Sequence, residues 1–120
     1  MIAVIFEVEP QDDRQAAYLH LAAEMLPLAE SIDGFISIER FASLTNPSRI
    51  LSLSFWRDEQ ALSAWRNLAA HRSAQSTGRR AIFKNYRLRV ASVLRDYGLH
   101  ERDQAPADSQ TFHKESLYEA

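Results

Sequence analysis

Residues 50–66 read ILSLSFWRDEQALSAWR, and two periodicities meet inside them. Leu51, Leu53 and Phe55 alternate with Ile50, Ser52, Ser54 and Trp56, the period of two that a strand requires. Asp58 is a favourable N-cap, and after it Ala61, Leu62, Trp65, Leu68 and Ala69 recur at spacings of three and four, which predicts an amphipathic helix. An apolar helical stripe must be buried, and a sheet built from neighbouring strands is the surface it needs.

Upstream, FISIERFAS (35–43) is a second strand, and the turn residues Asn46 and Pro47 in LTNPSR join it to 50–57 as a hairpin. Gly34 closes a helix that Asp12 or Asp13 can cap and that runs to about Ser31, with Tyr18, Leu21, Ala22, Met25 and Ala29 on one stripe and Pro27 expected to kink it. Before it, IAVIFEV (2–8) is a strand ended by Pro10. Downstream, the small polar run at 76–78 ends the second helix, and YRLRVASVLRDY (86–97) is the last strand. The order βαββαβ predicts an α+β ferredoxin-like fold over residues 1–97, an antiparallel sheet with helices on one face. Residues 98–120 are polar and too poor in apolar positions to build a core, and they are expected to form a tail that wraps a partner subunit.

Neither face of the first strand is polar, since Ile2, Val4, Phe6 and Val8 alternate with Ala3, Ile5 and Glu7. Two helices cover only one face, so the other predicts a homodimer with its sheets face to face, a dimeric α+β barrel. Arg87 and Arg89 on the last strand are read as members of a charge network.

The 120 residues fit one domain, 46% hydrophobic and 25% charged, with formal charge −2. That balance argues against nucleic-acid binding. There is no cysteine, which excludes disulfides, thiolate nucleophiles and zinc–thiolate sites and agrees with a cytoplasmic location. MIAVIFEVEP is too short to span a bilayer and lacks a basic leader, so no membrane association is expected. His20 and Glu24 lie four apart without a third ligand at a zinc-like spacing, and no metal site is expected. Three glycines leave no phosphate-binding loop, and no Gly-x-Ser-x-Gly elbow is present.

GFISIERFASL, ILSLSFWRDEQALSAWR, HRSAQSTGR and YRLRVASVLRDY together resemble the antibiotic biosynthesis monooxygenase family of dimeric α+β barrels. The resemblance implies a cofactor-independent monooxygenase acting on a small aromatic or quinol-like compound. Such chemistry deprotonates an acidic substrate, whose anion passes an electron to dioxygen, and it needs a dry cavity, a base and donors for the anion. The candidates are His71 as base, Trp65 and Trp56 as flat walls, and Tyr86 or Arg40 as anion stabilisers. Asn67 and Gln75 lie four residues either side of His71 and share its face if the helix is continuous, although a solvated helix face gives the same pattern.

Two alternatives stand beside this reading. One is a non-catalytic, ligand-binding or stress-associated dimer. The other is the family's haem-degrading branch, which pairs the second-helix tryptophan with a strand-one asparagine and a later histidine. Strand one here has no asparagine, and Gln75 stands ten residues after Trp65. His71 is one turn too early, a displacement of about 6 Å along a helix.

Overall fold

The computed structural model describes residues 1–119, with side chains for all of these except residue 69 and residues 114–119. Among the described residues the chain forms β1 (Ile2–Pro10), α1 (Gln15–Glu30), β2 (Phe35–Ala42), β3 (Ile50–Trp56), α2 (Glu59–Arg66), α3 (Ala69–Thr77), β4 (Phe83–Ser92) and α4 (Ala107–Glu119). The strands are ordered β2-β3-β1-β4 with every neighbour antiparallel. This is the expected ferredoxin-like arrangement, and α1, α2 and α3 lie on one side of the sheet.

The register sorts the side chains between two faces. Val4 and Ser54 pair across β1 and β3, as do Phe6 and Ser52, and Val8 and Ile50. These residues face the helices. Ile5 pairs with Leu53 and Glu7 with Leu51, and both pairs lie on the opposite face, which α1, α2 and α3 leave uncovered.

The core beneath the helices is divided. One cluster gathers Val4, Ala29, Trp56, Ala61, Leu62 and Trp65, and the other Val8, Tyr18, Ile50 and Ile82. Ser52 and Ser54 occupy the stretch of β3 between them, where a continuous core would place larger apolar side chains; both are buried. Small residues under a helix layer leave unfilled space, and the cavity described below occupies it.

Local signals explain most of the element ends. Asp58 has extended backbone, and its side chain accepts the Ala61 N–H at 2.9 Å, capping α2. Gly34 has φ +96°, and a Cβ there would come within 2.7 Å of the Ala61 Cβ, so the α1–β2 turn requires glycine twice over.

Three expectations need correction, and one further element follows them. Neither Asp12 nor Asp13 caps α1, because the Arg14 N–H bonds to the Gln11 carbonyl in a tight turn and the helix starts only at Gln15. The second helix is two helices, broken at Asn67 and Leu68. Asn67 caps the end of α2 and its amide donates to the Ser63 carbonyl at 2.9 Å, a local bond by which asparagine competes with helix continuation. The last strand starts at Phe83, reached directly from a π-helical turn at Gly78–Ile82, and stops at Ser92, where its partner β1 runs out at Ile2. The polar tail is partly helical. Arg102 organises its approach to α4, donating to the Gly98 carbonyl at 3.1 Å and to Ser109 Oγ at 2.9 Å, with its guanidinium 5.1 Å from the Tyr97 ring centroid.

Arg89 pairs with Glu7 at 3.0 Å across the uncovered face, as the charge-network reading anticipates. His20 and Glu24 form an exposed pair at 3.0 Å on α1. Among the described residues, no group of three or more His, Cys, Asp or Glu lies close enough to hold a metal ion, and no helix is long and apolar enough to cross a membrane.

Candidate functional site

Between the two core clusters lies a cavity of about 470 Å³, within the range of small-molecule sites. Its floor is the helix-facing side of the sheet, its roof comes from α1, α2 and α3, and its mouth opens along β4. The mouth exists because the helices leave β4 uncovered: Tyr86, Leu88 and Val90 point to the helix side yet remain exposed.

The break at residues 67–68 assembles the chemically active wall. On an unbroken helix Trp65 and His71, six residues apart, would lie about 120° apart around the axis. The kinked chain instead brings their ring centroids to 4.3 Å, tilted by 40°. Behind Trp65 stands Trp56, stacked at 6.0 Å, and behind that Phe35, edge-on at 5.3 Å. An aromatic column thus runs from the core to the cavity with His71 at its end. Trp65 is both core and wall, because its position in the column packs it against Trp56 on one side and sets it on the cavity border on the other.

His71 is half-buried on the cavity border. Burial pushes its imidazole below the ordinary range, a hydrogen bond with the Arg66 backbone opposes this, and the nearby charge of Arg72 adds a smaller lowering. Its Nδ1 is buried and has no hydrogen-bond partner.

The other expected site residues divide. Gln75, Arg40 and Tyr86 border the cavity together with His71 and Trp65. Trp56 does not; it is 1% exposed, its indole N–H donates to Ser54 Oγ at 3.0 Å, and it supports Trp65 from behind. Asn67 does not either, because the helix break removes it from the face of His71 and leaves it accepting from Arg72 at 2.8 Å on the surface. Sequence reasoning missed Tyr18, Ser52 and Ser54. The serines carried a legible signal, alternate small polar residues on a strand whose other face is Leu51, Leu53 and Phe55.

With both roles assigned to Trp65, Trp65→Phe is expected to cost about 1–3 kcal/mol of stability through lost volume. It should also weaken any cavity ligand. Chemical denaturation together with ligand titration checks this, and a stability loss without an affinity loss would assign the residue to the core alone.

Comparison with known proteins agrees with this architecture. Residues 1–77 match the family model described as antibiotic biosynthesis monooxygenase. A curated relative named jasmonate monooxygenase, from Pyricularia oryzae, is 48% identical over 93 residues, which is 78% of this chain and 43% of the relative; the match spans less than half of that protein's length. The uncharacterised YqjZ of Bacillus subtilis is 30% identical over 93 residues, 78% of this chain and 79% of that protein. Among solved structures, Rv0793 from Mycobacterium tuberculosis superposes with a TM-score of 0.73 at 18% identity, covering 81% of this chain and 98% of that one. Protein SO0527 from Shewanella oneidensis gives 0.70 at 14%, covering 75% and 87%. At those identities the two structures speak to the fold alone, whereas the match over residues 1–77 runs from β1 through α3 and takes in Trp65, His71 and Gln75: the chain belongs to the antibiotic biosynthesis monooxygenase family.

Proposed function

We propose that the protein is a cofactor-independent monooxygenase of a small aromatic or quinol-like compound, working as a homodimer with one cavity per subunit. The observation that carries the proposal is His71, kept neutral by burial at the border of an aromatic-walled cavity of about 470 Å³. The family and the name of the fungal relative support monooxygenation as the reaction class.

The chemistry balances without an added reductant when the substrate supplies the electrons. An acidic methylene, activated by adjoining rings and a carbonyl, gives a proton to His71 and becomes a carbanion. One electron passes to dioxygen, and the resulting radical pair closes a carbon–oxygen bond. The peroxide anion takes the proton back, and loss of water leaves a new carbonyl, so that one CH2 group and one O2 yield one C=O group and one water. Neutral imidazole is the form that accepts the proton, and burial favours that form. Trp65 and Phe6 exclude water from the anion, and Tyr86 at the rim offers a hydroxyl to the oxygen on which its charge is delocalised.

Oxygen uptake is the test, with a panel of anthrones, quinols and jasmonate. Stoichiometric uptake with one class, without added metal, flavin or haem, is the expected result. Binding without uptake across the whole panel would favour the rival reading, a ligand-binding dimer without turnover.

A further inference from the structure

We propose that the inner end of the cavity is a carboxylate site, with Arg40 as its anchor, so that the ligand is an apolar ring system carrying one carboxylate. The proposal deepens the reading of the cavity as a substrate site and rests on it.

Four arginines border the cavity: Arg40, Arg66, Arg72 and Arg79. Among the described residues no Asp or Glu joins them. The chain as a whole has 16 acidic and 14 basic residues, so a wall with cations alone runs against its net charge of −2. Arg66, Arg72 and Arg79 are exposed at the rim, and Arg72 is engaged with Asn67. Arg40 is different. It projects from β2 on the helix side, opposite Ser52 of β3, and is half-buried, with its Cζ 6.0 Å from the Tyr18 ring centroid. Its Nε is buried and has no hydrogen-bond partner.

An unsatisfied buried donor costs about 1–3 kcal/mol, and more when the group is charged. The ion pairs of this chain include arginines at the surface, such as Arg57 with Asp33 and Arg89 with Glu7, but among the described residues no carboxylate pairs with Arg40. A ligand carboxylate meets the deficit, since a planar guanidinium and a planar carboxylate match in a two-point hydrogen bond. The buried hydroxyl of Ser52, Arg40's cross-strand neighbour, adds a polar group to the same floor. Tyr18, Phe6 and Phe83 form an apolar surround suited to a ring. A ligand held at Arg40 extends its apolar body across the floor towards Trp65 and His71, so the anchor sets which carbon faces the base. The exposed arginines at the mouth draw the anion in.

The test compares 2-naphthoate with its uncharged isostere 2-naphthamide, titrated calorimetrically into the full-length protein. Wild type is expected to bind the carboxylate about 10- to 100-fold more tightly, the range given by one charge-assisted contact. Arg40→Gln should abolish that preference, and Arg79→Ala at the rim should reduce carboxylate affinity by less than about threefold. Equal binding of the two probes by wild type, no binding of either, or a preference that survives Arg40→Gln would each overturn the proposal. The wild-type comparison needs no variant, so a misfolded Arg40→Gln protein cannot obscure the result. Oxygen uptake separates this idea from the one beneath it. A carboxylate preference without turnover on the panel would sink the monooxygenase reading and leave the site standing, whereas turnover of neutral quinols with no carboxylate preference would do the reverse.

Discussion

His71→Ala is expected to lower turnover per folded molecule by about 10²- to 10⁴-fold, the usual worth of a positioned general base. The fold should survive. His71 contributes a tilted contact with Trp65 and no hydrogen bond through Nδ1, so its loss should cost on the order of 1 kcal/mol. A rate loss that large beside a stability loss that small distinguishes chemistry from packing. Oxygen uptake and a denaturant midpoint on the same preparation measure both.

The pH dependence gives the reading a second, independent handle. The charged and polar groups facing this ring are the Arg66 backbone and the Arg72 guanidinium, with Arg40 and Arg79 elsewhere on the cavity wall, and no carboxylate among the described lining residues raises its affinity for a proton. Burial is the largest cause and lowers it. The base form therefore persists as pH falls through the ordinary imidazole range, and the rate should drop only at a pH below it. Stability has the matching sign. The folded state resists protonation more than the unfolded state, so the unfolded chain binds more protons, and stability is lost as pH falls below the imidazole's unfolded value. His71→Ala should remove the acid limb of the rate profile. An unchanged acid limb in that variant would place the base elsewhere, with Tyr86 or a bound water next in line.

How far the sequence announced this site depends on which interaction each residue answers to. The strands and the hairpin were legible from period-two alternation and from Asn46 and Pro47, because those signals act within a few residues. Trp65, His71, Gln75, Arg40 and Tyr86 were named from a family resemblance and from their chemistry, and all five border one cavity. Asn67 failed because a single helix was assumed through 58–75. The break that places His71 on Trp65 is made by Asn67's own side chain bonding to Ser63, and Asn67 is compatible with either continuing a helix or ending one. Trp56 failed for the opposite reason: it has the composition of a cavity wall, but Ser54 accepts its indole hydrogen and Trp65 stands in front of it. Arg40's isolation was invisible in the sequence, because the lack of a partner is a property of everything that surrounds a residue in three dimensions.

The second large effect concerns the uncovered sheet face. Ile5 and Leu53 lie paired at its centre, Leu51 and Phe55 flank them on β3, and Phe41 on β2 is 43% exposed. This apolar strip, edged by Glu7, Glu39 and Arg89, suits a docking surface, and in the proposed homodimer a second copy related by a two-fold axis would cover it with the same residues. The area removed from water should approach that of an obligate dimer, on the order of 2,000 Å² in total. Leu53→Arg places a cation at the centre of that face, with Glu39 of the same chain as its cross-strand neighbour. Desolvating it still costs free energy, and symmetry introduces it twice, so the dissociation constant should weaken by at least about tenfold. Sedimentation velocity should then find monomers at micromolar concentration where the wild type sediments as a dimer. Because Leu53 points away from the cavity, the variant monomer should keep its affinity for 2-naphthoate if each site is complete within one chain. A wild-type monomer would dispose of the assembly outright. Loss of naphthoate affinity in a well-folded Leu53→Arg monomer would carry a different meaning: the cavity, open along β4, depends on the partner to shape its mouth.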